Sequence, residues 1–415
     1  METAQIIHNS LDENVPIETD KTIIEFNPGI LSGNTHQYNE RKYPKYYEIW
    51  NKRGDLDGIP RAEKGKALQA RALSFLMNYI DKDQFNDVIV SHAGYLRCLV
   101  NTIEGRDRTT PIDSSNGAIH IIEDPLKDLK IEQKSRAMAS KVYIVETYED
   151  KYVVKIKNRF IQKQDILEKH LLERLKKKLG ELPTVLNLSN TKKGSIKVLE
   201  FIDGEHIYGR LSTEEMQSLL KKVKKMHNAL KTISTEHYEK VDLYNMMKQK
   251  AKNSKNSYVL KTAKEILSDN KQIQKMRRSK YCLVHSDLNR DNILFQKQEH
   301  GTNVNIIDWE SVKAYPEDYQ LACFLASSVL IEDSNMTDVM RLAHQFKIPI
   351  DENYILFLMK IRVFEGLYYF AENKNEYTRL NPKVSREILK KYFIANEKIS
   401  RYQEKKLRRI ECKER

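Results

Sequence analysis

The sequence predicts an α/β amino-terminal part over residues 1–123, a linker at 124–137, and an α+β bilobal part with lobes at 138–204 and 205–415. Three observations predict this. Net charge changes sign along the chain: residues 1–123 hold 14 Lys and Arg against 18 Asp and Glu, and the remainder holds 57 against 40. Such a shift supports a boundary near residue 124. The run Asp87-Val-Ile-Val-Ser-His92 reads as a buried strand that delivers a histidine at its carboxyl end, with a helix following, as in an α/β sheet. Beyond the boundary, alternating strands come first and amphipathic helices follow.

The elements of the longer part can be justified in order. Lys141–Thr147 and Lys151–Ile156 alternate apolar and polar residues around a short acidic turn, a hairpin signature. Asp165–Leu175 places Ile166, Leu167, Leu171, Leu172 and Leu175 on one helical face. Val185–Leu188 and Ile196–Ile202 read as further strands, ending at Asp203-Gly204. Tyr281–Val284, Ile293–Phe295 and Val304–Ile307 read as three short strands, and Leu321–Ile331 as a buried helix. Tyr354–Tyr377 is helix-like, and Arg386–Arg415 is a basic terminal helix with a frayed end.

Chemistry concentrates around His285-Ser-Asp287-Leu-Asn-Arg-Asp-Asn292 and Asn305-Ile-Ile-Asp308-Trp-Glu310. A hydroxyl that attacks a γ-phosphate needs a carboxylate to orient it and accept its proton, the role that Asp287 suits. Two magnesium ions must be held against the phosphates by an amide oxygen and a further carboxylate, as Asn292 and Asp308 would do. The competing interpretation is a polar turn in which Asp and Asn are ordinary turn residues. A second carboxylate at the next strand end is not something turn chemistry demands. His285 reads as a brace for the loop and not as a proton carrier.

Upstream, Lys155 lies inside a strand, where an inward ammonium pairs the α/β-phosphates of ATP; the alternative is an exposed strand lysine like Lys151 and Lys157. A glutamate on the following helix would tether that lysine, and Glu168 is preferred to Glu173. The backbone from Glu200 to Ile202 is where a two-lobed kinase would receive an adenine edge.

Residues 138–400 resemble the aminoglycoside phosphotransferase and choline kinase superfamily, a protein-kinase-like fold acting on small molecules. Val198-Leu-Glu-Phe-Ile-Asp-Gly204 resembles its hinge and Leu219–His227 its helix ending in a Met-His pair. Ile307-Asp308-Trp309-Glu310 is similar to the choline/ethanolamine branch. The resemblance implies ATP and Mg2+ as cofactors, with Lys155, Asp287, Asn292 and Asp308 in the roles given above. Two positions depart from the pattern. The nucleotide loop near Met138-Ala-Ser-Lys141 has no glycine, and Gln320 stands where an aspartate is usual. No Ala-Pro-Glu motif follows Asp308, which argues against an ordinary protein kinase. Phe357, Phe364, Glu365, Tyr368, Glu372 and Glu376 would suit a cationic small-molecule hydroxyl acceptor: an amino alcohol, an aminoglycoside or an amino sugar. Ordinary helix packing accounts for the aromatics equally well.

The amino-terminal third resembles the histidine phosphatases, the phosphoglycerate mutase-like superfamily, over residues 2–123. The resemblance runs through Glu25-Phe-Asn-Pro-Gly29, Gly33, Tyr43-Pro44, Ile59–Arg71 and His92, with Ser115–Ile122 as its late strand. It implies phosphate binding by His92 and proton transfer by Glu25. The family's Arg-His-Gly nucleophile has no counterpart, since Thr3-Ala-Gln-Ile-Ile matches the helix after it, and Ala93 replaces a usual glycine. The expectation is a truncated, vestigial domain, inactive as a phosphatase, and either the less stable half of the chain or covered by a partner.

Composition narrows the rest. The net charge of +13 falls largely in Lys clusters at helical spacing, without the interleaved aromatics of a nucleic-acid platform. No apolar run reaches a membrane span. Cys98, Cys282, Cys323 and Cys412 are scattered, as in a reducing, cytoplasmic setting. Two rivals to a kinase remain: a nucleotide-binding regulatory pseudoenzyme, and a bifunctional kinase/phosphatase if an upstream segment exists. The sequence leaves the oligomeric state open.

Overall fold

The computed structural model describes residues 2–10, 16–53, 56–80, 87–113, 115, 118–137, 140–192, 194–330, 335–345, 351–372 and 382–414. The chain forms two compact units, the first of Met1–Ile161 with Thr184–Phe201, the second of Gln162–Pro183 with Ile202–Arg415.

In the first unit, helices α1 (Glu2–Asn9), α2 (His36–Lys42), α3 (Pro44–Arg53), α4 (Gly65–Leu76) and α5 (Ala93–Ile103) precede five strands. These are β1 (Lys130–Ala137), β2 (Ser140–Glu146), β3 (Lys151–Lys157), β4 (Val185–Thr191) and β5 (Gly194–Glu200). They form one antiparallel sheet in the order β1-β2-β3-β5-β4. The alanine-rich sequence of α4 favours helix. Every residue from Leu68 to Leu76 is buried, so the helix is enclosed on all sides and its polar groups must find partners inside. Gln69 accepts the Tyr152 hydroxyl at 2.6 Å, and Ser74 meets Ser189 at 2.5 Å. Arg71 donates twice to Glu63, at 2.9 Å each, and to the carbonyls of Thr22 and Ile24. α4 lies against β4 and β5. One apolar core therefore runs from Phe26, Leu73 and Leu99 to Tyr143, Val154 and Val198 of the sheet.

The second unit holds helices α6 (Lys163–Leu179), α7 (Thr213–Lys231), α8 (Leu243–Asn253), α9 (Ser257–Ser268), α10 (Asn270–Arg278), α11 (Tyr319–Cys323), α12 (Met336–Gln345), α13 (Glu352–Glu372) and α14 (Pro382–Glu414). Ser212 and Glu215 cap α7 reciprocally. Two antiparallel pairs carry the site: β6 (Tyr281–His285) with β9 (Val312–Pro316), and β7 (Ile293–Gln298) with β8 (Gly301–Ile306). α13 is buried along most of its length and packs against α9, α11 and α14.

Three expectations are corrected. Residues 87–92 and the described residues of 115–122 belong to no sheet, and Ile119 and Ile121 are exposed. A strand is stable only with a neighbour to satisfy its backbone, and periodicity says nothing of neighbours. The described part of residues 1–123 is thus helical and irregular, and the sheet content of this unit comes from later residues. Conversely, Lys130–Ala137, read as linker, is an edge strand paired with β2. Its Lys-Ile-Glu-Gln-Lys-Ser-Arg pattern hides it because an edge strand need bury little. Division by compactness also groups residues 1–123 with the five strands.

Leu321–Ile331 is α11 followed by a π-helix, Phe324–Leu330, with Ile331 outside the described residues. Met138 and Ala139 of the glycine-free loop, and Glu376 and Tyr377, also lie outside them. Cys98, Cys282 and Cys323 are free and buried. Among the described residues no helix is long and apolar enough to cross a membrane.

His227 on α7 is buried, and desolvation pushes its pKa down to about 4. It stays neutral in the folded chain, while the unfolded chain protonates below about pH 6.5. Its contribution is therefore present above pH 6.5 and lost as pH falls toward 4, amounting to about 3 kcal/mol at completion. Melting temperature is expected to drop between pH 7 and pH 5, and less steeply in His227→Gln. Identical pH profiles for the two proteins would refute this.

Candidate active site

The loop joining β6 to β7 is built around its own side chains. Asn289 accepts the Asn292 backbone N–H at 3.2 Å and donates to Asp287 Oδ1 at 3.1 Å. Asn292 Nδ2 donates to Asp287 O at 2.8 Å and to Asp287 Oδ2 at 2.9 Å. These two bonds fix the amide's orientation: its nitrogen is spent on Asp287, and Oδ1 is left as the ligand atom. The structure thus brings Asp287 and Asn292 together.

His285 is fully buried. Its Nε2 lies 3.1 Å from Ile307 O, an acceptor only, so Nε2 carries the proton. Desolvation holds its pKa below the usual value, against the opposing pull of Asp287 and Asp308. A neutral, buried imidazole bonded to backbone is a brace, as expected. Gln320, at the position where an aspartate is usual, accepts the His285 N–H at 2.9 Å.

Asp308 follows β8 with φ 60° and ψ 63°, the left-handed region. A non-glycine residue held there costs on the order of 1 kcal/mol or more, which concentrates strain at the residue expected to hold metal. Its surroundings impose the conformation. Ile307 N donates to Asn292 O at 3.0 Å, Trp309 Nε1 to Ile306 O at 2.8 Å, and Ser286 to Ser311 O at 3.0 Å. The loops carrying Asp287 and Asp308 are thereby tied to each other.

The segment after Ile202 is fastened to the same loop. Glu205 bridges Phe295 through two 2.9 Å backbone bonds. Gly204 has φ +147°, and a Cβ there would meet Leu294 Cβ at 2.9 Å, so only glycine permits the approach. Tyr208 donates to Asp291 at 2.8 Å. Ile202 itself makes no hydrogen bond among the described residues.

Glu168 is buried on α6, and its carboxylate lies with those of Asp165 and Glu310 inside a 4.8 Å cluster. Gln164 joins the same region by donating to Val312 O at 2.8 Å. In the first unit, Lys155 is half-buried on β3, with Lys197 of β5 directly opposite and itself buried. Glu200 accepts the Thr184 hydroxyl, and its N–H donates to Thr184 O at 3.0 Å.

Glu25 and His92 both stand at the amino end of α5. His92 is the N-cap residue. Glu25 accepts Tyr95 N at 3.0 Å and Gly94 N at 3.3 Å. The amides that would greet an anion thus already have one.

Arg362 of α13 escaped the sequence reading. Its guanidinium donates to Asp287 Oδ1 at 3.2 Å and to Ser327 of the π-helix at 3.0 Å, and lies 3.9 Å from Glu365. The available signal was a lone arginine between Ile361 and Val363 in an apolar helix, where a charge requires a partner. Tyr354, Phe357 and Phe364 are core residues, as the packing alternative had it.

Comparison with known proteins divides the chain near residue 132. Residues 132–350 match the model of the phosphotransferase enzyme family, and residues 1–132 match that of the histidine phosphatase superfamily, branch 1. Both are the resemblances read from the motifs. No curated protein sequence matches the chain. A microcompartment-associated aminopropanol kinase superposes with a TM-score of 0.51 at 13% identity, covering 67% of this chain and 93% of that one. An aminoglycoside phosphotransferase in its GDP and kanamycin complex gives 0.48 at 12%, covering 66% and 93%. Spectinomycin phosphotransferase with ADP and spectinomycin gives 0.47 at 15%, covering 65% and 93%. At such identities the likeness concerns the fold.

Proposed function

From the premise that this chain belongs to the phosphotransferase enzyme family, whose model spans more than half of it, we propose a small-molecule kinase that uses ATP and Mg2+. The carrying observation is the Asp287–Asn292 pair, bonded at 2.9 Å and tied to the strained Asp308. In this reading the acceptor oxygen attacks the γ-phosphorus, the bond to the β–γ bridging oxygen breaks, ADP leaves, and the hydroxyl proton passes to Asp287. Arg362 helps to hold the Asp287 carboxylate in place through its bond to Oδ1. A fixed carboxylate suits a loose transition state, in which orienting the hydroxyl matters more than removing its proton early.

Asn292 Oδ1 and the Asp308 carboxylate are hard oxygen donors that fit magnesium, which when bound would neutralise charge on the phosphates. Lys155 binds the α/β-phosphates, and the Glu200–Ile202 backbone receives the base. Aminopropanol, aminoglycosides, choline and ethanolamine make up the acceptor panel, the first because a protein of this fold is named as its kinase. Residues 1–132 are proposed to be inactive as a phosphatase, since Glu25 is committed to the α5 amides.

The test is acceptor-stimulated release of ADP from ATP. Turnover is expected with magnesium and not with EDTA. Binding of nucleotide without turnover of any acceptor would shift weight to a regulatory role, and absence of nucleotide binding would end the kinase reading.

A further inference from the structure

A half-buried cation with no ionic partner among the described residues stands over Tyr368, six positions along α13 from the arginine that touches Asp287. Arg362, Glu365 and Tyr368 follow one another at three-residue spacing along α13, so that each lies beside the next. Their track starts at the base, where Arg362 lies 3.2 Å from Asp287 Oδ1. One turn on, Glu365 is already committed: it accepts the Tyr319 hydroxyl at 2.5 Å and neighbours Arg362. Six residues on from Arg362, about 9 Å along the helix axis, the Tyr368 ring lies beneath Lys250 of α8, whose ammonium is 5.3 Å from the ring centroid. Lys250 is half-buried and makes no hydrogen bond or ion pair among the described residues.

The charges around Lys250 do not cancel it. Burial lowers its pKa, Glu365 opposes that, and Arg362 and Lys313 add to it. Glu365 is shared with Arg362, and Lys313 is paired with Glu239 at 2.7 Å. A desolvated ammonium with no counter-ion is costly unless a ligand supplies the anion. Two α13 carboxylates that would instead suit a cation, Glu365 and Glu372, are engaged. Glu372 accepts from the Ser254 hydroxyl and from the amides of Lys255 and Asn256 at 3.1 and 3.2 Å, and the aromatics Tyr354, Phe357 and Phe364 are in the core.

We propose that Lys250 recognises an anionic group on the acceptor, so that the substrate is an alcohol bearing a carboxylate or a phosphate. This rests on the kinase reading and narrows its acceptor. Tyr368 contributes by holding the ammonium in place through its ring face.

The test is calorimetric titration of the full chain loaded with Mg·ADP. Glycerate, homoserine and glycerol 3-phosphate are compared with glycerol, aminopropanol and ethanolamine, in the wild type, Lys250→Met and Lys250→Arg. At least one acid is expected to bind more tightly than its uncharged or cationic counterpart. Its affinity should fall about 10- to 100-fold in Lys250→Met, the worth of one charged hydrogen bond, and recover in part in Lys250→Arg. Mg·ADP affinity should be the same in all three. Preference for the carboxylates or for the phosphate distinguishes the two acid classes. Tighter binding of the amines, equal affinities in Lys250→Met, or no binding of any acid while Mg·ADP binds normally would each overturn the proposal. Failure of Mg·ADP to bind the wild type would instead remove the kinase reading, and the proposal with it.

Discussion

Asp287→Asn is expected to lower kcat for acceptor phosphorylation by about a hundred- to ten-thousand-fold, the range over which a positioned general base contributes. The Mg·ATP affinity should change little, because Asp287 faces the acceptor hydroxyl and not the phosphates in the proposed reaction. The geometry makes the substitution harsher than a simple loss of charge. Asp287 Oδ1 accepts from Arg362 and Asn289, and Oδ2 accepts from Asn292. An asparagine can offer acceptors on one side only. Its amide group would therefore point a donor at Arg362 and Asn289, or at Asn292. Steady-state ADP release beside a thermal melt separates the chemical effect from any loosening of the loop. Retention of a tenth or more of wild-type kcat would remove Asp287 from the proton's path.

Arg71→Met is expected to destabilise the first unit by about 3–5 kcal/mol, the usual cost of breaking a buried pair by removing one partner. The arginine's Nε and both terminal nitrogens bond to Glu63, Thr22 O and Ile24 O, and its guanidinium lies 5.0 Å from the Tyr95 ring centroid. Methionine keeps much of the volume but leaves Glu63 with an unpaired charge whose side chain is only 19% exposed. For a unit of this size the loss corresponds to a melting temperature lower by about 6–20 °C. Arg71→Lys should recover only part of it, since an ammonium cannot reproduce the planar fork. A melt unchanged in Arg71→Met would show that the pair merely repays its own desolvation.

The residues expected to bear chemistry were legible where they lie close in sequence. His285, Asp287, Asn292 and Asp308 share two turns whose spacing a phosphoryl-transfer site explains and a bland turn does not. Arg362 touches Asp287 from 75 positions away, and local spacing cannot register such a contact. Lys250 meets Tyr368 across two helices and was hidden for the same reason. The strand expected at Asp87–Ser91 failed for a related one. Its apolar run is real, and Val-Ile-Val has strand propensity, but pairing is a property of neighbours. Lys130–Ala137 is the converse case, a strand selected by its partner β2 despite an unpromising pattern. Nor does the sequence register burial on α4, where the polar Gln69, Arg71 and Ser74 are enclosed with partners.

The shared core of the first unit makes the chain hard to shorten. Tyr143, Val145, Tyr152, Val154, Ile196 and Val198 belong to the same apolar cluster as Leu73, Leu76 and Leu99. Without the preceding helices, those sheet residues would meet water, and a sheet bearing them would tend to self-associate. No single substitution repairs that, because several apolar positions and the Tyr152 hydroxyl would need replacing together. A segment held in this way is entrenched: its helices and contact face are needed to keep the sheet soluble, whatever other role the segment has.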